Sequence, residues 1–561
     1  MNEKRFTEGL RSIVGRRNVL TNQILMAPYC RGFRFGDGTA LAVVRPGSLV
    51  ELWEALQLCV KSGVAIIMQA ANTGLTGGST PLSSYDRAVV VISTLRIDGI
   101  FLIRGNDQAV CLAGSTLQNF EEMLDDVGRE PHSVLGSSCI GASIVGGVCN
   151  NSGGALVNRG PAYTELSLFA RVTSSGELEM VNQLGIELGD SPEEMLRRLE
   201  KGDFSEDMIG ADDKLASDTE YERRVRDVEA DDPARYNADP RRLHEASGCS
   251  GKLAVFAVRL DTFPAPRQEN TFFLSTNSPA HLTQLRRQIL SELKTLPVLA
   301  EYIHRETLQL TVDYGRDTVW FIDKLGTRRI PFLFRTRSRV EAFLGRLFRG
   351  SDHWAERMLQ MLSRVLPVGL PSSASEAMDR FEHHMILKAR DEGIAEIEAL
   401  LNRMQDHDDF QFFRCSKRDA HLISLYRFAA AGAANRYAAC HHGDVDGIVA
   451  LDIALPRNEQ EWLEQLPESL NDKLVMKLYF GHFLCHVLHQ DYIVRADEKC
   501  EEVKQALLEL TRQRGARYPA EHNHGHVYDA PDHVRSFYKT ADPTNTLNPG
   551  VGRMSTRRNY E

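Results

Sequence analysis

The sequence predicts an α+β protein built from more than one domain. Of its 561 residues, 42% are hydrophobic and 25% are charged, a composition that excludes a disordered or fibrous chain. Apolar runs of strand length alternate with amphipathic segments of helix length, which favours sheets packed against helices. The longest stretch without Asp, Glu, Lys or Arg is dominated by small and polar residues, so no segment is expected to cross a membrane.

The first quarter of the chain contains the clearest elements. Ser48 and Glu51 form a capping box that begins a helix, which we expect to continue to about Ser62. A second helix is expected from Thr116 to Asp126. Four apolar runs predict strands, at residues 40–44, 64–71, 89–93 and 109–113. This alternation of strands and helices is typical of a packed α/β domain.

Two segments of opposite charge divide the rest of the chain. Residues 187–232 hold 17 acidic and 7 basic residues, and we expect them to form a solvated, partly ordered insertion. The apolar run at 251–260 then predicts a strand that rejoins the first domain. A second domain is expected from Thr271, with a helix at 279–296.

The second of these segments, residues 324–364, holds 10 basic and 3 acidic residues. Its apolar side chains recur at helical spacing between Val340 and Phe348, with several arginines off that stripe. The pattern predicts a basic amphipathic helix at a membrane surface, with a core helix that exposes its arginines as the alternative.

A loop with three glycines, Gly74, Gly77 and Gly78, follows the strand predicted at 64–71. Glycines let a backbone approach a ligand closely, and inward N–H groups form an anion nest that suits a diphosphate. The loop lacks both the lysine of a Walker A loop and the spacing of the Rossmann fingerprint. The pattern therefore predicts a diphosphate-binding loop of another kind, or else an ordinary turn.

A second glycine-rich segment spans residues 136–154 and carries no charge. An uncharged segment of small side chains has no solvated face, which indicates that something packs against its backbone. A large planar ligand would explain both properties, and a tightly packed internal turn is the alternative.

These two loops, in this order, resemble the FAD domain of the vanillyl-alcohol-oxidase-type flavoproteins. Longer segments are similar to the family of bacterial respiratory, quinone-linked D-lactate dehydrogenases, from about residue 10 to Arg553. These segments include MQAANTGLTGGSTP, GGVCNNSGGALVNRGPAYTELSLFAR, YFGHFLCHVLHQDYIV and RYPAEHNHGHVY. The resemblance implies a two-subdomain FAD-binding domain and an α/β cap domain with an inserted basic membrane-binding segment.

The resemblance also implies domain boundaries and cofactor contacts. The FAD-binding domain is expected at 1–268, the cap at 269–322 and 379–520, the basic segment at 323–378, and a return to the FAD domain at 521–561. The expected FAD contacts are Ala70, Ala71, Asn72, Thr73, Gly74, Gly78, Ser79, Gly136, Ser143, Gly153 and Val255. None of these residues is charged, so we expect backbone dipoles to hold the diphosphate.

Oxidation of a 2-hydroxy acid requires a cation for the carboxylate and a base for the hydroxyl proton. Arg436 is the predicted carboxylate clamp, because a guanidinium binds a carboxylate bidentately. His522 is the predicted base, because the ordinary pKa of histidine lies near neutral. His524 and His526 occupy the same segment and could exchange roles with it.

Related 2-hydroxy-acid dehydrogenases bind a divalent metal through the two histidines of HxGDGNxH and the glutamate of EHG. Aligning the first motif with residues 479–486 puts Tyr479 and His486 at the two histidine positions, and Glu521 matches the glutamate. Two ligands make a poor divalent site. We therefore leave the metal open and expect His486, with His482 nearby, to bind the substrate instead.

The expected function is oxidation of D-lactate to pyruvate by FAD, with electrons passed to membrane quinone. The enzyme is expected on the cytoplasmic side of the inner membrane as a peripheral protein, without affinity for nucleic acid. An anionic lipid surface is expected to bind Arg335, Arg337, Arg339, Arg346 and Arg349. The alternatives are a dehydrogenase of another D-2-hydroxy acid that uses a soluble acceptor, and a non-catalytic membrane-docked flavin sensor.

Overall fold

The computed structural model describes residues 2–133, 138–210, 213–326, 354–405 and 409–561. In these ranges the chain forms three β-sheets with helices packed against them. The first sheet has the strand order β1-β2-β4-β3, in which β4 runs parallel to both β2 and β3. Its strands are β1 (Val19–Leu20), β2 (Ala42–Val44), β3 (Ala65–Gln69) and β4 (Val89–Ser93).

Three helices belong to this first layer: α1 (Glu3–Val14), α2 (Gln23–Cys30) and α3 (Leu49–Ser62). The Ser48 hydroxyl caps α3 by accepting from the Glu51 N–H at 3.0 Å, as the capping box predicts. The helix ends at Gly63, which adopts the left-handed conformation typical of a C-cap. Its buried face contacts α1 and contributes to an apolar core below the first sheet.

The second sheet is antiparallel, with the order β5-β6-β10-β8-β9 and with β7 added to the end of β10. Its strands are β5 (Ile100–Ile103), β6 (Gln108–Leu112), β7 (Arg129–Pro131), β8 (Ser167–Val172), β9 (Leu178–Asn182) and β10 (Ala254–Pro264). Two helices precede β8, α4 (Leu117–Asp125) and α5 (Ile144–Cys149). The run at 251–260 thus returns to the first half of the chain as a central strand, which confirms that prediction.

The acidic segment is folded, which contradicts the expectation of a solvated, partly ordered insertion. It contains α6 (Pro192–Lys201) and α7 (Tyr221–Arg226). Leu196 of α6 and Tyr221 of α7 are fully buried in two different apolar cores. The charge count misleads here because both helices bury an apolar face while acidic residues such as Glu194 and Glu222 stay exposed.

The third sheet has seven antiparallel strands in the order β14-β11-β13-β12-β16-β17-β15. They are β11 (Glu269–Thr276), β12 (Leu299–His304), β13 (His383–Arg390), β14 (Phe410–Arg414), β15 (Val445–Ala454), β16 (Leu474–His482) and β17 (Val487–Arg495). The accompanying helices are α8 (Pro279–Glu292), α9 (Arg305–Tyr314), α10 (Arg316–Leu325), α11 (Trp354–Val365), α12 (Ser372–Arg380), α13 (Gly393–Met404), α14 (Lys417–Cys440), α15 (Glu468–Asn471), α16 (Cys500–Gln513) and α17 (Asp532–Ala541).

The long helix α14 contacts α9, α10 and α11, and together these helices form a layer beside the third sheet. The basic segment includes the end of α10 and all of α11, and residues 327–353 between these helices fall outside the described residues, among them Arg335, Arg337, Arg339, Arg346 and Arg349. None of the helices in the described ranges combines the length and the apolar character that a membrane span requires.

Candidate active site

The first glycine-rich loop packs directly against the C-terminal segment at residues 521–526. The Thr76 hydroxyl donates to the His522 carbonyl oxygen at 3.0 Å, and the His526 N–H donates to the Thr76 carbonyl at 2.9 Å. A Cβ added at Gly78 would lie 3.2 Å from the Cα of Gly525. The predicted cofactor loop and the predicted base are therefore neighbours.

The same loop has the form of a cradle for a ligand. The side chain of Asn72, itself at φ 54°, donates to the Arg31 carbonyl at 2.7 Å and accepts from the Ser79 hydroxyl at 2.9 Å. Those two bonds hold the loop while its centre stays open, since a Cβ added at Gly74 would meet nothing within 4 Å. Such an open, glycine-lined turn fits a bound dinucleotide.

The second glycine-rich segment contributes in two different ways. Ser143 caps α5 by accepting from the Gly146 N–H at 3.0 Å. Gly153 approaches the site itself, because a Cβ there would lie 2.2 Å from Oε1 of Glu521. Val255 is buried in the apolar core of the second sheet, and Gly136 lies outside the described residues.

Three ligand-type side chains converge beside these loops: His482 at the end of β16, His489 on β17 and Glu521. We call them the histidine cluster. Oε2 of Glu521 lies 3.1 Å from Nε2 of His482 and 3.9 Å from Nε2 of His489. All three ligand atoms lie within 4.8 Å of one another, a spacing that a single divalent cation could bridge.

Further charged side chains surround the histidine cluster. Nδ1 of His482 lies 2.5 Å from Oε1 of Glu301, and Arg235 donates to Oε1 of Glu521 at 2.7 Å. Burial alone would lower the pKa of His482, but Glu301 and Glu521 outweigh it and raise that pKa to about 10. Burial also opposes ionisation of Glu521, yet His482 and Arg235 hold its pKa far below the ordinary value.

His522 lies beside this cluster and is the more accessible group. Its ring stacks on His489 with centroids 5.4 Å apart, and its side chain is 34% exposed. Nδ1 lies 3.3 Å from Oδ2 of Asp452 on β15. Burial works against the charged ring, but Asp452 outweighs it, so the pKa of His522 is raised. Oδ2 of Asp452 also accepts from the N–H groups of Glu521 and His522.

Two residues that sequence reasoning missed complete the surroundings of His522. Asp491 follows His489 by two residues on β17 and is buried, and its Oδ2 has no hydrogen-bond partner. Arg34, from the loop after α2, places Nη1 3.9 Å from Oδ1 of Asp491. The alternation of side chains along β17 could have indicated Asp491, because it shares a face with His489. No signal in the sequence indicated Arg34.

The structure does not bring Arg436 to this site, so the prediction of a substrate clamp there is wrong. On α14 it is Arg427 that reaches the site, pairing with Glu301 at 2.7 Å, and Arg436 lies nine residues further on, about 13 Å along the helix axis. Its buried guanidinium binds Asp317 of α10 and, at 3.1 Å, Glu356 of α11. We call Asp317, Arg436 and Glu356 the anchor cluster, because they tie α10 and α11, the helices on either side of residues 327–353, to α14.

His486 is also misplaced by the sequence prediction. Its ring packs against Phe483, Nδ1 lies 3.0 Å from the Pro456 carbonyl oxygen, and burial holds its pKa well below the ordinary value. The motif was aligned three residues too early, since His482 and His489 have the same spacing of seven as the histidines of HxGDGNxH. The prediction of only two candidate ligands is therefore wrong.

The two neighbouring histidines of the C-terminal segment differ from His522. His524 is buried, its Nε2 has no hydrogen-bond partner, and burial lowers its pKa to about 4. Both ring nitrogens of His526 face backbone carbonyl oxygens, of Thr80 and Gly550. Of the three histidines, only His522 combines a carboxylate partner with a partly exposed ring.

The fold is that of the vanillyl-alcohol-oxidase type, and the comparisons with known proteins identify an FAD-dependent oxidoreductase. Residues 40–180 match the FAD binding domain family, and residues 271–560 match the family described as D-lactate dehydrogenase, membrane binding. The fold is similar to that of p-cresol methylhydroxylase, with a TM-score of 0.59, 12% sequence identity, and coverage of 98% of this chain and 97% of that one.

Full-length relatives narrow the class further. The chain is 50% identical to the quinone-dependent D-lactate dehydrogenase of Escherichia coli over 100% of its own length and 98% of the relative. It is 48% identical to the enzyme of the same name from Haemophilus influenzae, over 100% of both chains. The chain belongs to the family of quinone-dependent D-lactate dehydrogenases.

Proposed function

We propose that this protein oxidises D-lactate to pyruvate and passes two electrons to membrane quinone. The observation that carries the proposal is the position of His522, a partly exposed histidine with a carboxylate partner that packs against the cofactor loop. A group in this place can take a proton from a substrate bound next to FAD. FAD, when bound, supplies the acceptor for the hydride that leaves C2 of the substrate.

In this proposal His522 is the base that removes the hydroxyl proton. Asp452 orients the ring through Nδ1 and leaves Nε2 for the substrate, and it stabilises the imidazolium that forms. Asp452 also accepts from two backbone N–H groups, so its own position is fixed. Burial of His524 and the carbonyl contacts of His526 favour His522 over both alternatives.

We further propose that the histidine cluster is a divalent cation site. Nε2 of His482, Nε2 of His489 and one oxygen of Glu521 are the ligand types that zinc and similar metals prefer. The outer contacts are those of metal ligands too, because Glu301 holds the other nitrogen of His482 and Arg235 holds the other oxygen of Glu521. A cation there would supply Lewis acidity near the substrate oxygen.

The cofactor contacts and the domain boundaries are also part of this proposal. We propose that FAD lies along the first loop, with contacts from the second segment and from β10. The open space at Gly74 and the held side chain of Asn72 support this position. We also propose the division into an FAD domain at 1–268 with the return at 521–561 and a cap at 269–520 that contains the basic segment.

Attachment to the cytoplasmic face of the inner membrane is proposed to occur through the basic segment. Its arginines would lie at the anionic lipid surface, where each contributes about 1 kcal/mol. The described C-terminal part of this segment supports the proposal, because α11 exposes apolar side chains at helical spacing next to basic ones. The side chains of Met358, Met361, Leu362 and Val365 are at least 45% exposed.

Anaerobic mixing of the purified holoenzyme with substrate tests the activity. We expect D-lactate to bleach the flavin absorbance, whereas L-lactate leaves it unchanged. If only a different 2-hydroxy acid reduced the flavin, the protein would instead be a dehydrogenase of that acid. A flavin that no 2-hydroxy acid reduces would favour the non-catalytic sensor instead.

Neutralising the five arginines tests the membrane attachment separately. The variant with Arg335, Arg337, Arg339, Arg346 and Arg349 replaced by Gln should no longer sediment with vesicles that contain anionic lipid, while its activity with a soluble dye persists. Unchanged sedimentation would refute a role for these side chains. Vesicles of neutral lipid provide the control, since the electrostatic attraction is absent there.

A further inference from the structure

Among the described residues, three guanidinium groups lie near the histidine cluster, and two of them are paired with its carboxylate or with the neighbouring Glu301. Arg235 is buried and donates to Glu521 and to the carbonyl oxygens of Gly154 and Leu156. Arg427 donates to Oε2 of Glu301 at 2.7 Å and lies over the ring of Phe480. An incoming anion would compete with Glu521 for Arg235 and with Glu301 for Arg427.

Arg34 is different because its ion pair is loose and its side chain is accessible. The 3.9 Å between Nη1 and Oδ1 of Asp491 exceeds hydrogen-bonding distance, and 25% of the side chain is exposed. The loop that carries it is nevertheless well fixed. The Gly32 N–H donates to the Gly36 carbonyl, and Asn72 of the cofactor loop donates to the Arg31 carbonyl.

The position of Arg34 relates it to the base through two side chains of β17. Asp491 lies two residues from His489 on the same face of β17, and His489 stacks on His522. The charge of Arg34 acts on both Asp491 and the His522 ring. In a 2-hydroxy acid the carboxylate and the hydroxyl are on adjacent carbons, so one molecule could contact both Arg34 and His522.

We propose that Arg34 binds the carboxylate of the 2-hydroxy acid, which is the role that sequence analysis assigned to Arg436. This inference rests on the proposed function and specifies how its substrate is held. The substrate carboxylate takes the place that Asp491 only partly fills and forms two parallel N–H···O bonds with the guanidinium. The hydroxyl carbon is thereby oriented toward His522 and the cofactor loop.

Binding of a substrate analogue that cannot be oxidised tests Arg34 without turnover. Oxamate is titrated into wild-type, Arg34→Lys and Arg34→Met holoenzymes, and the change in flavin absorbance gives the Kd. We expect Arg34→Met to weaken oxamate binding by about 100-fold and Arg34→Lys to weaken it less, with FAD content unchanged. An unchanged Kd, or loss of FAD from both variants, would overturn the inference.

An uncharged substrate separates carboxylate binding from a structural role of Arg34. Arg34→Met should reduce kcat/KM for D-lactate by about 100-fold while that for D-lactamide stays nearly constant. Equal losses with both substrates would overturn the inference. Arg31→Met is the matched control, because Arg31 belongs to the same loop, is exposed and pairs with Asp37. Its D-lactate KM should stay within about twofold of wild type.

The outcome also distinguishes this inference from the proposed function. If D-lactate bleaches the wild-type flavin but Arg34→Met binds oxamate normally, only the role of Arg34 fails. If D-lactate does not bleach the flavin and Arg34→Met still weakens oxamate binding, the carboxylate site stands and the substrate is another 2-hydroxy acid.

Discussion

A buried arginine pairs with carboxylates both beside the histidine cluster and in the anchor cluster. The comparison shows how similar ion pairs can belong to a candidate active site in one place and join helices in the other. In the anchor cluster Arg436 uses its guanidinium on Asp317 and Glu356, and the partners satisfy one another. In the histidine cluster Arg235 and Glu301 occupy the outer atoms of Glu521 and His482. The inner atoms of His482, His489 and Glu521 then lie within 4.8 Å of one another, as the proposed cation site requires.

The largest expected effect comes from removing the charge at the centre of the histidine cluster. Glu521→Gln keeps the shape but leaves Arg235 and His482 without their anion, so flavin reduction by D-lactate should slow by about 10³-fold. Stopped-flow absorbance measures the rate. Glu356→Gln is the matched control in the anchor cluster, and a loss of rate there as large as for Glu521→Gln would contradict the distinction between the clusters.

Breaking the anchor cluster should affect stability rather than catalysis. Arg436→Gln leaves Asp317 buried without a cation, which costs about 3–5 kcal/mol of unfolding free energy and lowers the Tm. The rate of flavin reduction per bound FAD should stay at the wild-type value. Adding Asp317→Asn removes the stranded charge and should restore part of the Tm. A reduced rate of flavin reduction with an unchanged Tm would contradict this expectation and support a role for Arg436 in catalysis.

A larger side chain at Gly153, which faces the histidine cluster, should slow flavin reduction to an intermediate extent. In Gly153→Ala the new methyl group would lie 2.2 Å from Oε1 of Glu521, so the carboxylate has to move. We expect flavin reduction to slow by about 10²-fold. Gly432→Ala is the control, because a Cβ at this position of α14 meets nothing within 4 Å. An unaltered rate in Gly153→Ala would show that the position of Glu521 is not critical.

The smallest effect concerns the pH dependence of the proposed base. The His522 ring faces Asp452, Glu521, His489 and Arg34, and Asp452 is the group that most raises its pKa. Because the neutral ring accepts the proton, activity increases as pH rises through this pKa. Asp452→Asn should lower the pKa and shift the acidic limb of kcat/KM toward lower pH by about one unit. A limb that does not move would separate Asp452 from the base.

Local patterns in the sequence predicted the elements of the first half well. The apolar run at 89–93 is β4, and the capping box at Ser48 begins α3, because strand burial and helix capping depend on neighbouring residues. Arg436 could not be assigned in this way. Its role is set by Asp317 and Glu356, which are 119 and 80 residues away in the chain.

The histidine motif could be predicted from the sequence only in part. Its residue types and its spacing of seven are visible in the sequence, yet the wrong frame placed Tyr479 and His486 at the ligand positions. The structure separates the two frames because β16 and β17 form a hairpin that brings His482 and His489 to the same partner, Glu521. Pairing across a hairpin depends on register, which spacing along one chain does not reveal.

The close contact between Gly153 and Glu521 has a consequence for engineering. The segment at 521–526 also bonds to Thr76 and packs on Gly78, so it is fitted to the loops of the first domain as much as to the third sheet. A chimera that exchanges the cap between relatives would need to keep this C-terminal segment with its native FAD domain. If the C-terminal segment were transferred together with the cap, the carboxylate of one relative would face the glycine-rich backbone of another, and the two would not be matched in shape.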